Sequence, residues 1–466
     1  MTFTNSLWQQ WASASPDSRA LITPSHTLNW RELDALVQRY SAYLNSQGLS
    51  TGDVLTIVGK NSSELVLAYL ASLNLGVLVA MTMPQPSKKL EQKLETLYSA
   101  GKERFVAFTG EYGEALNVDA KLIQLPSLEE ALGLPLHPLK QPLGETNNLA
   151  SIVFTSGSTG NPKAVAHTAK QHIASATGLL EHFKFGSDDT WLLSLPMYHV
   201  SGLAIFYRWL VAGAALKVGN QGLEQDIDGC THASLVATQL RRLLDSECPL
   251  SLNHVLLGGS HIPNQLAQEA NQRGIKTWLG YGMTEAASTV TAKPVDESNT
   301  TGFVLPQRRV KVDDGRIYIA GETLASGYYY QGNLTPLVDD TGWFDSKDLG
   351  QWVDDQLLII GRADNQFISG GENIHCEEIE QALSKLSGIN QAIVVPVEDR
   401  EFGFRPVAII DCVELPTKDW FCEKLVGRLE KFKLPIEYHR MPVLDQQGIK
   451  VSRADLARWL KEARHQ

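Results

Sequence analysis

Residues 155–163 put Thr155, Ser156, Gly157, Ser158, Thr159, Gly160 and Lys163 into one short loop, directly after the apolar run Ile152-Val153-Phe154. Backbone N–H groups, hydroxyls and an ammonium gathered in this way can wrap phosphate oxygens. The glycines let such a loop turn tightly and come close to a ligand. The pattern is not the common nucleotide loop, which needs G-x-x-x-x-G-K-[ST] opening a helix. Here Lys163 follows Pro162, and Ala164-Val165-Ala166 reads as a returning strand. A plain Ser/Gly surface turn needs neither the lysine nor two flanking strands. The loop is read as a phosphate site.

A second cluster is Gly280-Tyr281-Gly282-Met283-Thr284-Glu285. Two glycines around a tyrosine leave an aromatic face on which a purine can stack. The hydroxyl and carboxylate that follow suit a phosphate oxygen and Mg²⁺, a hard cation that prefers oxygen ligands. On its own such a segment is more often a turn with a solvated charge; beside the first loop it gains weight. Val255-Leu256-Leu257 runs into Gly258-Gly259, a strand-to-turn junction of the kind where α/β proteins bind ligands.

These loops need a scaffold, and 466 residues provide for two or three domains with a large core. The net charge of −11 argues against nucleic acid or an acidic membrane surface, which reward clustered Lys and Arg. Five scattered cysteines without a C-x-x-C pair suggest neither a disulfide framework nor a zinc site, and fit a reducing cytoplasm. No basic segment precedes an apolar stretch at the N-terminus, so no secretion signal is expected. Residues 65–83 carry no charge and approach bilayer-spanning length. Their polar residues, Gly76 and the closing Pro84 favour a buried helix over 64–75 followed by a buried strand over 77–80.

Helical and β-rich patterns alternate through the first 360 residues, as in layered α/β architecture. Helices are expected over 30–44 and 169–183, and a strand over 54–58. The Asp/Gly/Pro-rich stretch 294–361 reads as a small β subdomain. Near Gly361-Arg362-Ala363-Asp364 the texture changes to a compact α+β unit. That unit should hold helices over 377–386, 418–430 and 454–463 and strands over 392–397 and 407–411. The expected division is therefore an N-terminal domain of residues 1–361 and a mobile C-terminal domain of residues 362–466.

The two loops are joined by Trp343-Phe344-Asp345-Ser346-Lys347-Asp348, Gly361-Arg362-Ala363-Asp364, Ser369-Gly370-Gly371-Glu372-Asn373-Ile374 and Lys450-Val451-Ser452-Arg453. In that order the motifs resemble the adenylate-forming superfamily of acyl-CoA synthetases, peptide-synthetase adenylation domains and luciferases. They cover nearly the whole chain. Three longer stretches, at residues 191–202, 231–240 and 255–259, resemble one branch of it, the o-succinylbenzoate–CoA ligases of menaquinone biosynthesis.

The resemblance implies ATP, Mg²⁺, coenzyme A and an aromatic dicarboxylic acid as small-molecule partners. A homo-oligomer is left open. By the same resemblance residues 155–163 would hold the β- and γ-phosphates, with Gly258 and Gly259 beside the nucleotide. Tyr281, between Gly280 and Gly282, would stack on adenine. Thr284 would touch the α-phosphate and Glu285 would bind Mg²⁺. Asp348 would accept the ribose hydroxyls beside Arg362. Lys450 would reach the α-phosphate and the attacking carboxylate. Gly370 and Gly371 would open a passage for the pantetheine thiol, and Asp364 would be the pivot of the C-terminal domain. His199, Ser201 and Gly202 would line the acyl pocket.

Arg208, in the run Phe206-Tyr207-Arg208-Trp209, suits a clamp on a second carboxylate. A snorkelling surface arginine fits the same run equally well. The chain departs from the superfamily at three places. The usual Thr-Gly-Asp is Ser346-Lys347-Asp348, the Pro of Ile-x-Pro-x-Glu is Cys376, and Gly448-Ile449-Lys450 replaces Gly-Lys. None removes a catalytic group. Another aryl- or fatty-acyl-CoA synthetase is the alternative reading, and a catalytically dead nucleotide-binding scaffold a more distant one.

Overall fold

The computed structural model describes residues 7–109, 117–135, 148–155, 162–258, 262, 264–369, 372–426, 428–442 and 453–464. Among them, four sheets organise the chain. The first has eight strands and a parallel centre, in which Leu78–Thr82 lies between Val54–Val58 and Leu149–Thr155. Lys163–Thr168 then turns back antiparallel on Leu149–Thr155. The second has nine strands, with Thr190–Leu192, His232–Leu235, His254–Leu257 and Lys276–Met283 running parallel through its middle. Ser288–Pro294 returns antiparallel beside Lys276–Met283. Both sheets thus carry a parallel run that ends in a hairpin, and each hairpin holds one of the two suspected ligand loops.

One continuous core joins the facing sides of the two sheets through the helices Trp30–Ser46, Ser63–Leu75, Ala169–Leu180 and Val200–Ala212. Val54–Val58, Leu78–Thr82, Thr190–Leu192 and His232–Leu235 are buried at every position, so both faces of these strands are covered. The helix Ser63–Leu75 is buried almost all round, as expected of a helix lacking a polar face. Ser62 caps its start through the Leu65 amide, and Gly76, with φ +72°, ends it. No helix among the described residues is long and apolar enough to cross a membrane.

The stretch 294–361 divides among three sheets, with Phe303–Val304 at the edge of the nine-stranded one. Arg308–Asp313, Arg316–Gly321, Phe344–Val353 and Gln356–Arg362 form a four-stranded antiparallel sheet. The hairpin Gly327–Tyr330 and Asn333–Thr335 instead joins the edge of the first sheet, pairing Gly327 with Ala166 and Tyr328 with Val165. It covers a strand edge that would otherwise be open and buries Tyr329 against Ala164 and Ala166.

Beyond a single 3₁₀ turn, Ala363–Asn365, the C-terminal sheet is built from Gln366–Ser369, Glu372–His375, Ile389–Asp399, Gly403–Cys412 and Glu437–Arg440. It carries its own cores on its two faces, one under the helices Cys376–Ser384 and Lys418–Leu425 and one under Arg453–Arg464. The fold is therefore α/β, with a large layered N-terminal domain and a separate α+β C-terminal domain. The helix expected over 418–430 is shorter, ending at Leu425 before the glycine at position 427. Cys376 begins the helix Cys376–Ser384 and is buried, so the substitution of the family proline falls at a helix start.

Candidate active site

Thr155 and Lys163 are directly opposed in the hairpin register, at the two ends of the loop read in the sequence as a phosphate site. Ser156, Gly157, Ser158, Thr159 and Gly160 lie outside the described residues. Lys163 is exposed, with its ammonium 5.0 Å above the ring of Tyr328. The Tyr328 hydroxyl in turn donates to Glu285 Oε1 at 3.2 Å. Burial, reinforced by the Glu285 charge, pushes this hydroxyl above its ordinary range, so it stays a proton donor. The first loop and the second cluster, more than a hundred residues apart in sequence, meet through Tyr328.

Thr284 and Glu285 sit on a 3₁₀ turn, Thr284–Ala286. The turn exits through Ala287 and Ser288 with φ of +49° and +90°. Two consecutive side-chain-bearing residues in this region cost on the order of 1 kcal/mol or more each. Surrounding contacts hold the turn. His167 Nε2 donates to the Thr284 carbonyl at 2.9 Å, the Ala325 amide to the Glu285 carbonyl at 2.8 Å, and Ser175 Oγ to the Ala287 carbonyl. Gly282 is required for the approach of this exit, because a Cβ there would stand 1.7 Å from the Ser288 carbonyl oxygen. One carboxylate beside a phosphate site fits Mg²⁺, which keeps water and substrate phosphates as its other ligands. No cluster of three or more His, Cys, Asp or Glu that could hold a metal occurs among the described residues.

Tyr281 points its hydroxyl at Asp348 Oδ2, 2.6 Å away. Asp348 and Arg362 are register partners on adjacent strands, with Arg362 Nη1 at 3.4 Å from Asp348 Oδ1. Burial and the Asp348 charge both raise the Tyr281 pKa well above its ordinary value. The strand around Asp348 carries one of the departures from the family pattern. Ser346 Oγ accepts from the Asp348 amide and donates to the Ile317 carbonyl. Lys347 takes φ +63°, the conformation a glycine would adopt freely, and pairs with Asp345 at 2.8 Å. Gly258 directly follows the strand His254–Leu257, and a Cβ built there would lie 3.9 Å from the Gly280 carbonyl oxygen.

His199 is the N-cap residue of Val200–Ala212, and its ring lies 4.8 Å from that of Tyr198. Ser201 is half-buried and Gly202 buried. A Cβ at Gly202 would come within 2.2 Å of the Pro196 carbonyl oxygen, so this glycine lets the helix start against the preceding turn.

Arg208 lies in the middle of that helix and is only 2% exposed, which removes the snorkelling alternative. Its guanidinium sits 5.4 Å from the Trp191 ring. Its hydrogen-bond partners are hydroxyls, Thr289 Oγ1 at 3.2 Å and Ser234 Oγ at 3.5 Å. Burial, and then the neighbouring Arg308 charge, bring its pKa down to about 9. Among the described residues no carboxylate forms an ion pair with it. A buried cation with only hydroxyl partners is costly unless an anion completes it.

Gly259, Gly370, Gly371 and Lys450 lie outside the described residues. Asp364 is placed only by its backbone, in the 3₁₀ turn Ala363–Asn365. Sequence reasoning missed His167, Ser175, Ser234, Thr289, Arg308 and Tyr328. Only His167 carried a signal, four residues after Lys163 on the returning strand.

The family model for AMP-binding enzymes matches residues 8–329. The 2-succinylbenzoate–CoA ligase of Salmonella typhimurium is 40% identical over 464 residues, covering 99% of each chain. An arginine-to-lysine variant of Escherichia coli MenE, solved with bound OSB-AMS, superposes with a TM-score of 0.89 at 37% identity. It covers 99% of this chain and 100% of its own. The o-succinylbenzoate coenzyme A synthetase of Bacillus subtilis, in complex with ATP and magnesium ion, gives a TM-score of 0.82 at 25% identity. The match covers 94% of this chain and 95% of that one.

Proposed function

The chain belongs to the AMP-binding enzyme family, and on that premise we infer that it joins o-succinylbenzoate to coenzyme A in menaquinone biosynthesis. It is an AMP-forming acid–thiol ligase that uses ATP and Mg²⁺. A carboxylate is a poor electrophile, so one carboxylate of the acid first displaces pyrophosphate at the α-phosphorus. The thiol of coenzyme A then attacks the acyl-adenylate and AMP leaves.

In this reading the loop around Thr155 and Lys163 holds the β- and γ-phosphates, and Thr284 touches the α-phosphate. Glu285 holds Mg²⁺, which when bound neutralises charge on the phosphate oxygens. Tyr281 faces the adenine and Asp348, steadied by Arg362, takes the ribose hydroxyls. His199 and Ser201 border the acyl group, where Gly202 sets the path of the helix. Lys450 serves the first half-reaction from the C-terminal domain, which begins near residue 362 and turns about Asp364. Supply of ATP and coenzyme A places the reaction in the cytoplasm.

The observation that carries the choice of a diacid is Arg208, a buried cation whose partners are the hydroxyls of Ser234 and Thr289. A benzoate or a fatty acid offers it nothing once its one carboxylate is at the phosphate. The second carboxylate of o-succinylbenzoate completes it. The test is product analysis with o-succinylbenzoate, ATP, Mg²⁺ and coenzyme A. The acyl-CoA, AMP and pyrophosphate are expected in equal amounts. ADP and phosphate would overturn the mechanism, and faster turnover of benzoate or a fatty acid would overturn the substrate.

A further inference from the structure

We propose that His167 and Ser175 are positioning residues for the adenylation step, clamping the strained turn that carries Thr284 and Glu285 to the elements that follow the phosphate loop. The proposal rests on the functional reading above and adds the part of the chain that holds its metal-binding carboxylate in place.

Left-handed Ala287 and Ser288 would relax in an unsupported turn, and the Glu285 carboxylate would swing with them. The clamp opposes that relaxation at both ends of the turn. His167 grips the Thr284 carbonyl, and Ser175 grips the Ala287 carbonyl. His167 lies on the strand Lys163–Thr168, and Ser175 on the helix Ala169–Leu180 directly after it. The lysine at the phosphates and the carboxylate at the metal are thereby parts of one mechanical unit.

Each side chain is built for the task. The His167 bond runs to a carbonyl, so Nε2 must carry the proton. Its Nδ1 is buried without a partner among the described residues, which leaves the ring no second role. The ring is held by His172, 4.7 Å away, and His172 is held by Ser151 Oγ at 2.7 Å and by the stacked Tyr207 ring. Ser175 Oγ spends its own proton on Ala287 while accepting from Arg308 Nη2 at 2.8 Å. The direction of that hydroxyl is therefore fixed.

The experiment compares His167→Leu, which removes the donor, with His167→Gln, which keeps an N–H. Calorimetric titration without acid substrate reads the affinity for ATP with and without Mg²⁺. Leu should weaken MgATP binding about tenfold, leave metal-free ATP nearly unchanged, and be largely rescued by Gln. Thioester formation from synthetic acyl-adenylate and coenzyme A, which needs no metal-bound pyrophosphate, should stay within about twofold of the parent. Equal losses in MgATP, free ATP and the thioester step would show a merely structural histidine and overturn the proposal. If Leu does not fold, Ser175→Ala takes its place with the same expected split, and unchanged MgATP affinity there overturns the proposal equally. Nitrogen NMR of the imidazoles should find His167 as the Nε2–H tautomer, and the Nδ1–H form would refute the bond. A parent enzyme that ignores o-succinylbenzoate but keeps these differences would sink the substrate reading alone.

Discussion

The Tyr281 hydroxyl donates to Asp348 Oδ2 at 2.6 Å, linking the second ligand loop to the middle of the strand Phe344–Val353 across 67 residues. The aromatic face and the carboxylate assigned to adenine and ribose are thus held at a fixed separation before a nucleotide arrives. Tyr281→Phe keeps the ring and deletes the bond. Bonds to a charged acceptor contribute about 1.5–3 kcal/mol, so KM for ATP should rise roughly ten- to a hundredfold while KM for the acid stays put. Parallel changes in both constants would point to a general loosening instead.

Arg208 gives a pair of opposed effects. Arg208→Lys keeps a charge but not the planar fork, and should raise KM for the diacid with KM for ATP unchanged. Arg208→Met removes an uncompensated buried charge and should leave the free protein as stable or more so, while abolishing discrimination in favour of the diacid. A marked loss of thermal stability in the Met variant would mean that the guanidinium holds the fold through Ser234 and Thr289.

Lys347→Gly should stabilise the protein. The left-handed backbone at φ +63° no longer strains, and the lost pair with Asp345 is exposed and worth little. Gains of about 0.5–1 kcal/mol are expected after the extra freedom of glycine in the unfolded chain is counted. Urea midpoints check this, and a lower midpoint would show that the ion pair outweighs the strain.

Acid should weaken the fold through its buried histidines. Burial holds both His167 and His232 down at about 4, and places His172 well below its ordinary 6.5. The unfolded chain binds these protons near 6.5, so unfolding takes up protons between about pH 6.5 and pH 4. Stability falls as pH is lowered through that window and is unaffected above it. A histidine held at about 4 contributes about 2 kcal/mol of this loss by pH 5. Urea unfolding at pH 7.5, 6 and 5 measures the slope, and a flat profile would mean that water reaches the rings.

What the sequence discloses and what it hides differ in kind. The strand Val54–Val58 and the helix Ser63–Leu75 were legible because apolar runs and the Gly76 cap are local signals. The loops around Thr155 and Tyr281 stand out in the sequence because phosphate and purine chemistry demands particular residue types at short spacing, and Lys163 and Glu285 meet through Tyr328. Arg208 was undecidable, since an arginine among aromatics reads alike whether its head reaches water or is enclosed. The bonds of His167 and Ser175 were invisible because their partners, Thr284 and Ala287, lie 117 and 112 residues away. That the hairpin Gly327–Tyr330 and Asn333–Thr335 joins the first sheet was hidden for the same reason. Its β character is local, whereas its pairing depends on an edge laid down far upstream.

That late pairing sets a clock on biosynthesis. Lys163–Thr168 leaves the ribosome about 160 residues before its outer neighbour Gly327–Tyr330, an interval of about 8–30 s at ordinary translation rates. Throughout it the nascent chain presents an unpaired β edge, the feature most apt to capture a strand from another copy. Translation speed and chaperone supply over this interval therefore become levers on the yield of folded enzyme, separate from the stability of the finished molecule.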